Sequence, residues 1–154
     1  MSYQFFKRLD IVIKEERGTI SREEARNSYM KLLCLTVPGW EQKINSKHII
    51  LSNIEMFLLN DIAVTYMGEC DNKRACEIYD RMLNYFVNTE EVRDNKQVYM
   101  ILLNYSDCLG LIKKYDDCLQ VCSYGIKWLR ERNKGNLLFN FIFSNINIIY
   151  FIII

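Results

Sequence analysis

Residues 51–86, LSNIEMFLLNDIAVTYMGECDNKRACEIYDRMLNYF, decide the fold of this 154-residue chain. The first half of this stretch spaces its apolar side chains with the helical period and ends at Gly68, a residue type that favours helix termination. Asp71 is suited to cap a second helix, in which apolar residues again recur every three or four positions. Two helices joined by a short polar turn, with no strand pattern between them, predict a helical hairpin.

Similar hairpins are predicted on both sides of this stretch. Upstream, apolar residues between Phe5 and Ile13 predict one helix, and the capping box Ser21-Arg22-Glu23-Glu24 starts another that runs to about Leu35. Pro38-Gly39 stops that helix and begins a loop. Downstream, the segment Thr89-Glu90-Glu91 opens a third pair of helices. The composition agrees with an all-α protein, because half of the residues are apolar and the chain has one proline and six glycines.

The second and third hairpins match each other at an offset of 43 residues. Small residues fall on small ones and large apolar residues on large apolar ones, as expected where two helices cross closely. The pairs are Ala63 with Ser106, Tyr66 with Leu109, Ala75 with Cys118, Tyr79 with Cys122, and Asp61 with Asn104. Ala25 and Tyr29 of the first hairpin match Ala75 and Tyr79 at an offset of 50. An approximate repeat of helical hairpins predicts a solenoid.

This pattern resembles the tetratricopeptide repeat. The matching residues are Ala63, Tyr66, Ala75, Tyr79 and Met82 in one repeat, and Ser106, Leu109, Tyr115, Cys118, Cys122 and Gly125 in the next. The Trp and Pro of the full signature are absent, and the period is longer than the usual one. The resemblance implies a tetratricopeptide-like superhelix of about three hairpins and a further C-terminal helix. We therefore expect a repeat domain over residues 1–136 and an apolar helix over residues 137–154.

Within that superfamily, the layout is similar to the C-terminal regulatory domains of bacterial helix-turn-helix regulators that respond to peptide pheromones, the Rgg/PlcR type. The stretches that carry this similarity are Arg8-Leu9-Asp10 through Ile20, Ser21-Arg22-Glu23-Glu24-Ala25, Val37-Pro38-Gly39-Trp40-Glu41, Leu51-Ser52-Asn53-Ile54-Glu55 and Leu103-Asn104-Tyr105-Ser106. The resemblance implies a quorum-sensing domain that binds a short linear peptide in a concave groove. Peptide binding would change the conformation of this domain, and the change would be transmitted to an N-terminal DNA-binding domain and to a dimer partner. This sequence starts at the first repeat helix, without a recognition helix. We therefore expect either a fragment or isolated domain of a longer regulator or, as the alternative, a stand-alone adaptor that binds an extended segment of a partner protein.

In such a superhelix, the first helix of each hairpin lines the groove. The predicted groove residues are Asn60, Asp61, Val64 and Met67 in one repeat, and Leu103, Asn104, Asp107 and Leu111 in the next. An Asn side chain offers both a donor and an acceptor, so it can pair with a peptide backbone of any sequence. The resemblance assigns this role to Asn104 and, one repeat earlier, to Asn60 or Asp61. The alternative is that these polar residues lie on a solvated helix face.

We expect no enzymatic activity, metal or cofactor. Cys118 and Cys122 lie four residues apart on one predicted helix, but they occupy packing positions of the repeat, and a structural zinc site needs four ligands. His48 is the only histidine and has no nearby nucleophile to activate. Glycine-rich phosphate-binding motifs are absent from the sequence. The net charge of +1 argues against direct nucleic-acid binding.

Residues 137–154 carry no charge and consist mostly of Phe, Ile, Asn and Tyr. We expect a helix that packs on the domain or in a homodimer, where it would bury its apolar face. Two alternatives remain: a divergent tail from a truncated or frame-shifted gene in an A/T-rich genome, and a membrane anchor, which the asparagines disfavour. The N-terminal residues lack the pattern of a secretory signal, so we expect a cytoplasmic protein.

Overall fold

The computed structural model describes residues 3–43, 50–89, 97–139 and 141–143, except for the side chain of Asn136. All regular structure within these ranges is helical, which confirms the predicted all-α class and its helical hairpins. The helices are α1 (Tyr3–Glu16), α2 (Arg22–Cys34), α3 (Trp40–Lys43), α4 (Asn53–Gly68), α5 (Asn72–Asn88), α6 (Gln97–Leu111) and α7 (Tyr115–Glu131), followed by a 3-10 helix (Gly135–Leu137). Residues 138–139 and 141–143 are also helical. The chain divides into two compact units, Met1–Gln97 and Val98–Ile154. The predicted boundary at residue 136 stays a prediction.

The first unit stacks one hairpin on another. Helix α1 packs against α2, α2 against α4, and α4 against α5, while α1 also reaches α4. The capping box predicted for α2 is present: Ser21 N–H donates to the Glu24 carboxylate at 2.8 Å, and Glu24 N–H donates to Ser21 Oγ at 3.2 Å. Asp71 caps α5 by accepting a hydrogen bond from Arg74 N–H at 3.3 Å, also as predicted.

Two local predictions need correction. The apolar spacing from Ile49 onward predicts a helix from about that residue, but α4 begins at Asn53. The Glu55 carboxylate accepts the Ser52 N–H at 2.6 Å and fixes the helix start there. The loop predicted after Pro38-Gly39 contains a one-turn helix, α3, whose Trp40 is buried. The predicted helix start at residues 89–91 lies largely outside the described residues.

The same turn ends four of the helices. The N–H of the second residue beyond the helix cap donates to a carbonyl five residues earlier: Thr19 to Lys14, Asp71 to Tyr66, Lys114 to Leu109 and Lys134 to Leu129, at 2.9–3.0 Å. This is the Schellman arrangement, and the residue before the donor adopts a positive φ. That residue is Gly18 after α1, but Cys70, Lys113 and Asn133 after α4, α6 and α7. Cys70 and Lys113 are 43 residues apart, so the offset found in the sequence also relates the local geometry.

The small residues at the matched repeat positions are buried. Ala25, Ala63, Ala75 and Cys118 are all fully buried. In the second unit, the Cys118 thiol donates to the Ser106 carbonyl oxygen at 3.0 Å, which joins α7 to α6 at a position predicted to hold two small residues. Close approach of the backbones is the physical reason for these residue types.

The second unit continues beyond α7 into residue 141. Phe141 is fully buried, and its ring lies so close to Gly125 that a Cβ at this position would be 2.5 Å from Cζ. The ring also makes an edge contact with Tyr99, with a centroid distance of 5.6 Å. The start of the predicted C-terminal helix therefore packs on this unit, whereas residues 144–154 lie outside the described residues.

Candidate binding surface

Helix α4 presents a stripe of side chains that includes two predicted groove residues. Phe57, Asp61 and Val64 follow the spacing i, i+4, i+7, which places them on one helix face. Val64 is 43% exposed, while Phe57 and Asp61 are half-buried. We call these three residues the α4 stripe.

Arg8 of α1 holds the centre of the stripe. Its Nε lies 2.5 Å from Asp61 Oδ2, and its Nη2 lies 3.0 Å from Oδ1, a bidentate ion pair. The guanidinium also stacks over the Phe57 ring, with 4.5 Å between the guanidinium carbon and the ring centroid. Burial raises the pKa of Asp61 above its ordinary value, and the hydrogen bonds from Arg8 oppose this shift. The pair therefore fixes one side of α1 against α4.

A second carboxylate lies close to this pair. Glu15 accepts a hydrogen bond from the Tyr29 hydroxyl at 3.4 Å. Burial raises the pKa of Glu15, and the Asp61 charge acts in the same direction. The pKa of Tyr29 is also raised, first by burial and then by the charges of Asp61 and Glu15. Asp61, Glu15 and Tyr29 therefore form a partly buried cluster in which the Arg8 guanidinium is paired with Asp61.

The other two predicted groove residues of α4, Asn60 and Met67, are not part of the α4 stripe. Asn60 is 5% exposed, and its Oδ1 accepts a hydrogen bond from the Tyr79 hydroxyl at 3.4 Å. Its amide therefore contributes to the contact between α4 and α5. Met67 is half-buried near the end of α4. Of the two candidates that the resemblance offered for this repeat, Asp61 lies on the stripe and Asn60 lies in the core.

In the second unit, the predicted groove residues all belong to α6. Leu103 and Asn104 are half-buried, Asp107 is exposed, and Leu111 is 61% exposed. Asn104, Asp107 and Leu111 follow the spacing i, i+3, i+7 and so share one face of the helix. The binding role of the α4 and α6 residues stays a prediction.

Arg8 and Phe57 are not among the predicted groove residues. Arg8 lies 53 residues from Asp61 in the chain, and no local pattern links two residues at that distance. One signal was present: Arg8 is a charged residue within the apolar segment of α1, where a partly buried charge needs a partner. Phe57 is one of the apolar residues that follow the helical period in this segment, and only the fold shows that it stacks on Arg8.

The remaining chemistry of the described residues is limited. Cys118 and Cys122 are fully buried, as predicted, and the neighbouring Cys122 thiol together with burial raises the pKa of Cys118. Across residues 3–43, 50–89, 97–139 and 141–143, no group of three or more His, Cys, Asp or Glu side chains is arranged to hold a metal ion. His48 lies outside these ranges. None of the helices in the described part of the chain is long and apolar enough to span a membrane.

Comparisons with known proteins give one partial match. The chain is similar to a glutamyl-tRNA(Gln) amidotransferase subunit of Borreliella burgdorferi, with 36% identity over 64 residues. This stretch is 42% of the chain but 13% of that curated relative, which is too little of either protein to carry over an activity. No family model matches the chain, and no solved structure matches it.

Proposed function

We propose that this chain is a sensing domain that binds a short peptide along the α4 stripe. The observation that carries the proposal is the guanidinium of Arg8, which pairs with Asp61 and lies over the Phe57 ring, on the helix face that also carries the exposed Val64. The link to a bacterial transcriptional regulator comes from the sequence resemblance to the peptide-responsive family. Binding would thus be the task of this chain, and DNA recognition the task of another domain.

The α4 stripe combines the two kinds of contact that an extended peptide needs. A guanidinium has five N–H donors, and Asp61 engages the Nε and Nη2 groups. The Arg8 side chain is 16% exposed, and its other N–H groups would donate to a peptide carbonyl or carboxylate. Val64 supplies an apolar contact one helical turn away from Asp61. The stacking on Phe57 keeps the guanidinium oriented, which lowers the entropy that a ligand would have to remove.

The same geometry suggests how binding could be transmitted. Arg8 belongs to α1 and Asp61 to α4, so a ligand group that draws Arg8 away from Asp61 weakens a contact between two hairpins. Hairpins of a repeat protein contact mainly their neighbours, and a change in one such contact alters the stacking of the whole array. A ligand shifts this equilibrium only by its difference in affinity for the two arrangements.

Selection from a library of random seven-residue peptides tests the binding proposal. We expect peptides selected on the full chain to bind Val64→Arg at least tenfold more weakly, because the new side chain covers the stripe. Val87→Arg is the matched control, since Val87 is an exposed valine of similar accessibility, 46% against 43%, on α5 of the same unit. Selected peptides should bind this control within twofold of the original chain. Failure to select any peptide, or equal binding to Val64→Arg, contradicts the proposal.

The regulator part of the proposal needs a separate measurement. An antibody raised against residues 1–132 would capture the native product from source cells for intact mass analysis. We expect a mass above 18.4 kDa, with a DNA-binding domain in the additional sequence. A native mass of 18.4 kDa would contradict the regulator assignment, and the stand-alone adaptor would then account for peptide binding.

A further inference from the structure

The first hairpin has an outer face that the second hairpin does not cover. From α1 it includes Tyr3, Lys7 and Lys14, which follow the spacing i, i+4, i+11 on one helix face. From α2 it includes Lys31 and Leu35. Together these side chains line an open cleft of about 410 Å³. We call it the outer cleft.

The outer cleft lies away from the α4 stripe. Arg22 and Arg26 of α2 reach the end of α4, where Arg22 donates to the Gly68 carbonyl and Arg26 pairs with Glu69. Neither arginine lines the cleft, and neither does Arg8. The two surfaces can therefore be altered independently.

The floor and rim of the cleft differ in exposure. Ile11 and Leu32, at the floor, are each 8% exposed. Tyr3 and Leu35, at the rim, are 65% and 64% exposed. A partner that covered Tyr3 and Leu35 would remove this apolar surface from water, which favours association.

The charges around the cleft are unbalanced. The lining has three lysines and one aspartate, Asp10. Asp10 already pairs with Lys14 at 2.7 Å, so the charges of these two residues offset each other. Lys7 and Lys31 remain as the excess positive charge, and the Lys7 ammonium lies 5.6 Å from the centroid of the Tyr3 ring. Charge complementarity therefore favours an acidic partner.

The lining also indicates the conformation of the partner. The walls are two helices, 14 and 13 residues long, whose backbone groups are engaged within the helices. Among the described residues that line the cleft, none is an Asn or Gln whose side chain could pair with an extended peptide backbone. A helix satisfies its own backbone groups and needs from the cleft only apolar contact and charge.

We propose that the outer cleft binds an amphipathic helix of a partner protein, in which acidic side chains flank an apolar stripe. Leucine-sized side chains at i, i+3 or i+4, and i+7 of the partner would lie along the floor formed by Ile11 and Leu32. Its carboxylates would face Lys7 and Lys31. This inference is independent of peptide binding at the α4 stripe.

Three fluorescein-labelled peptides of 18 residues test the inference by fluorescence anisotropy on the full chain. The first forms an amphipathic helix with leucine on one face and glutamate on the other. The second replaces each glutamate by lysine, and the third scrambles the acidic sequence so that the apolar stripe is lost. We expect the first peptide to bind at least tenfold more tightly than the other two, and its affinity to fall as salt is raised.

Charge reversal in the protein supplies the specific control. Lys7→Glu/Lys31→Glu should weaken the acidic helix at least tenfold and should improve binding of the lysine helix. Lys43→Glu/Lys73→Glu changes the net charge equally at exposed lysines outside the cleft, and should leave both affinities within twofold. The swap in preference distinguishes a binding surface from a folding defect, because an unfolded variant would bind neither peptide specifically.

Several results would overturn the inference. Equal binding of the scrambled peptide would show that charge alone is recognised, and equal loss in both double variants would show a general electrostatic effect. Absence of binding by all three peptides also contradicts it. Vesicles of phosphatidylcholine and phosphatidylserine at a 4:1 ratio provide the last comparison. Binding to these vesicles that depends on Lys7 and Lys31, without binding of the acidic helix, would assign the cleft to a lipid surface instead.

Discussion

Gly125 contacts the ring of Phe141, so whether Gly125→Ala stabilises or destabilises the chain depends on the presence of that ring. In an ordinary helix interior, replacing Gly by Ala stabilises by about 1 kcal/mol. At position 125 the added Cβ would lie 2.5, 2.7 and 2.9 Å from three atoms of the Phe141 ring, all closer than van der Waals contact permits. Overpacking of this kind costs about 1 to 3 kcal/mol. We therefore expect Gly125→Ala to destabilise the chain by up to about 2 kcal/mol despite its higher helix propensity.

Without the Phe141 ring, we expect Gly125→Ala to stabilise the chain instead of destabilising it. Phe141 is fully buried, so Phe141→Ala alone should cost about 3 kcal/mol or more. In that background the Cβ at position 125 enters the space left by the ring, and Gly125→Ala should stabilise by about 1 kcal/mol. The coupling between the two substitutions is therefore about 1 to 3 kcal/mol, well above the error of a double-mutant cycle.

Urea unfolding of the four proteins measures this coupling. Tryptophan fluorescence in a Trp40→Phe background reports on the second unit, because Trp128 of α7 is then the remaining tryptophan. Tyr124→Ala is a control for α7, since Tyr124 precedes Gly125 and is only half-buried; its effect should be the same with and without Phe141. If Gly125→Ala stabilises equally in the presence and absence of Phe141, the packing of residue 141 on α7 is wrong.

Two further predictions concern stability. Burial raises the pKa of Glu15, so the folded state favours the protonated carboxyl over the charged one. The protonated carboxyl therefore stabilises the fold at low pH, and this stabilisation is lost as pH rises through the folded pKa. Urea midpoints should show Glu15→Gln gaining stability relative to the original chain as pH rises from about 4.5 to about 7, and a constant difference would contradict the burial argument. Lys113 has a φ of 61°, which costs a side-chain-bearing residue about 1 kcal/mol, so Lys113→Gly should raise the free energy of unfolding by about that amount whereas Lys113→Ala should not.

The parts of the fold that were predictable are those determined by local interactions. The Ser21–Glu24 capping box and the Asp71 cap use side chains three residues from their partners, and the structure contains both. The 43-residue offset was also visible, because close helix crossings restrict residue type at each repeat. Such features need no knowledge of how distant segments meet.

The start of α4 and the partner of Asp61 depend on more than local pattern. Apolar residues before Ser52 continue the helical period, so periodicity alone predicts an earlier helix start. The hydrogen bond between Ser52 N–H and the Glu55 carboxylate instead sets the first helical residue at Asn53. Arg8 pairs with Asp61 because α1 packs against α4, which brings together two residues 53 positions apart in the chain. The sequence can indicate that a half-buried charge needs a partner, but the tertiary contact selects it.

Asn60 and Asp61 show why neighbouring polar residues can have different fates. Consecutive residues on a helix point about 100° apart, so when α4 packs on α5 and α2, one of the two must face the core more than the other. Asn60 meets the Tyr79 hydroxyl, and an amide buried with a hydrogen-bond partner avoids the desolvation cost of an unpaired group. Asp61 meets Arg8 at the margin of the same helix, where a carboxylate keeps its charge with a guanidinium as partner. A carboxylate in place of Asn60 would be desolvated beside the Tyr79 hydroxyl, so exchanging the two residues should destabilise the chain. The position around the helix axis therefore distinguishes the two residues, and it places Asp61 on the α4 stripe and Asn60 in the core.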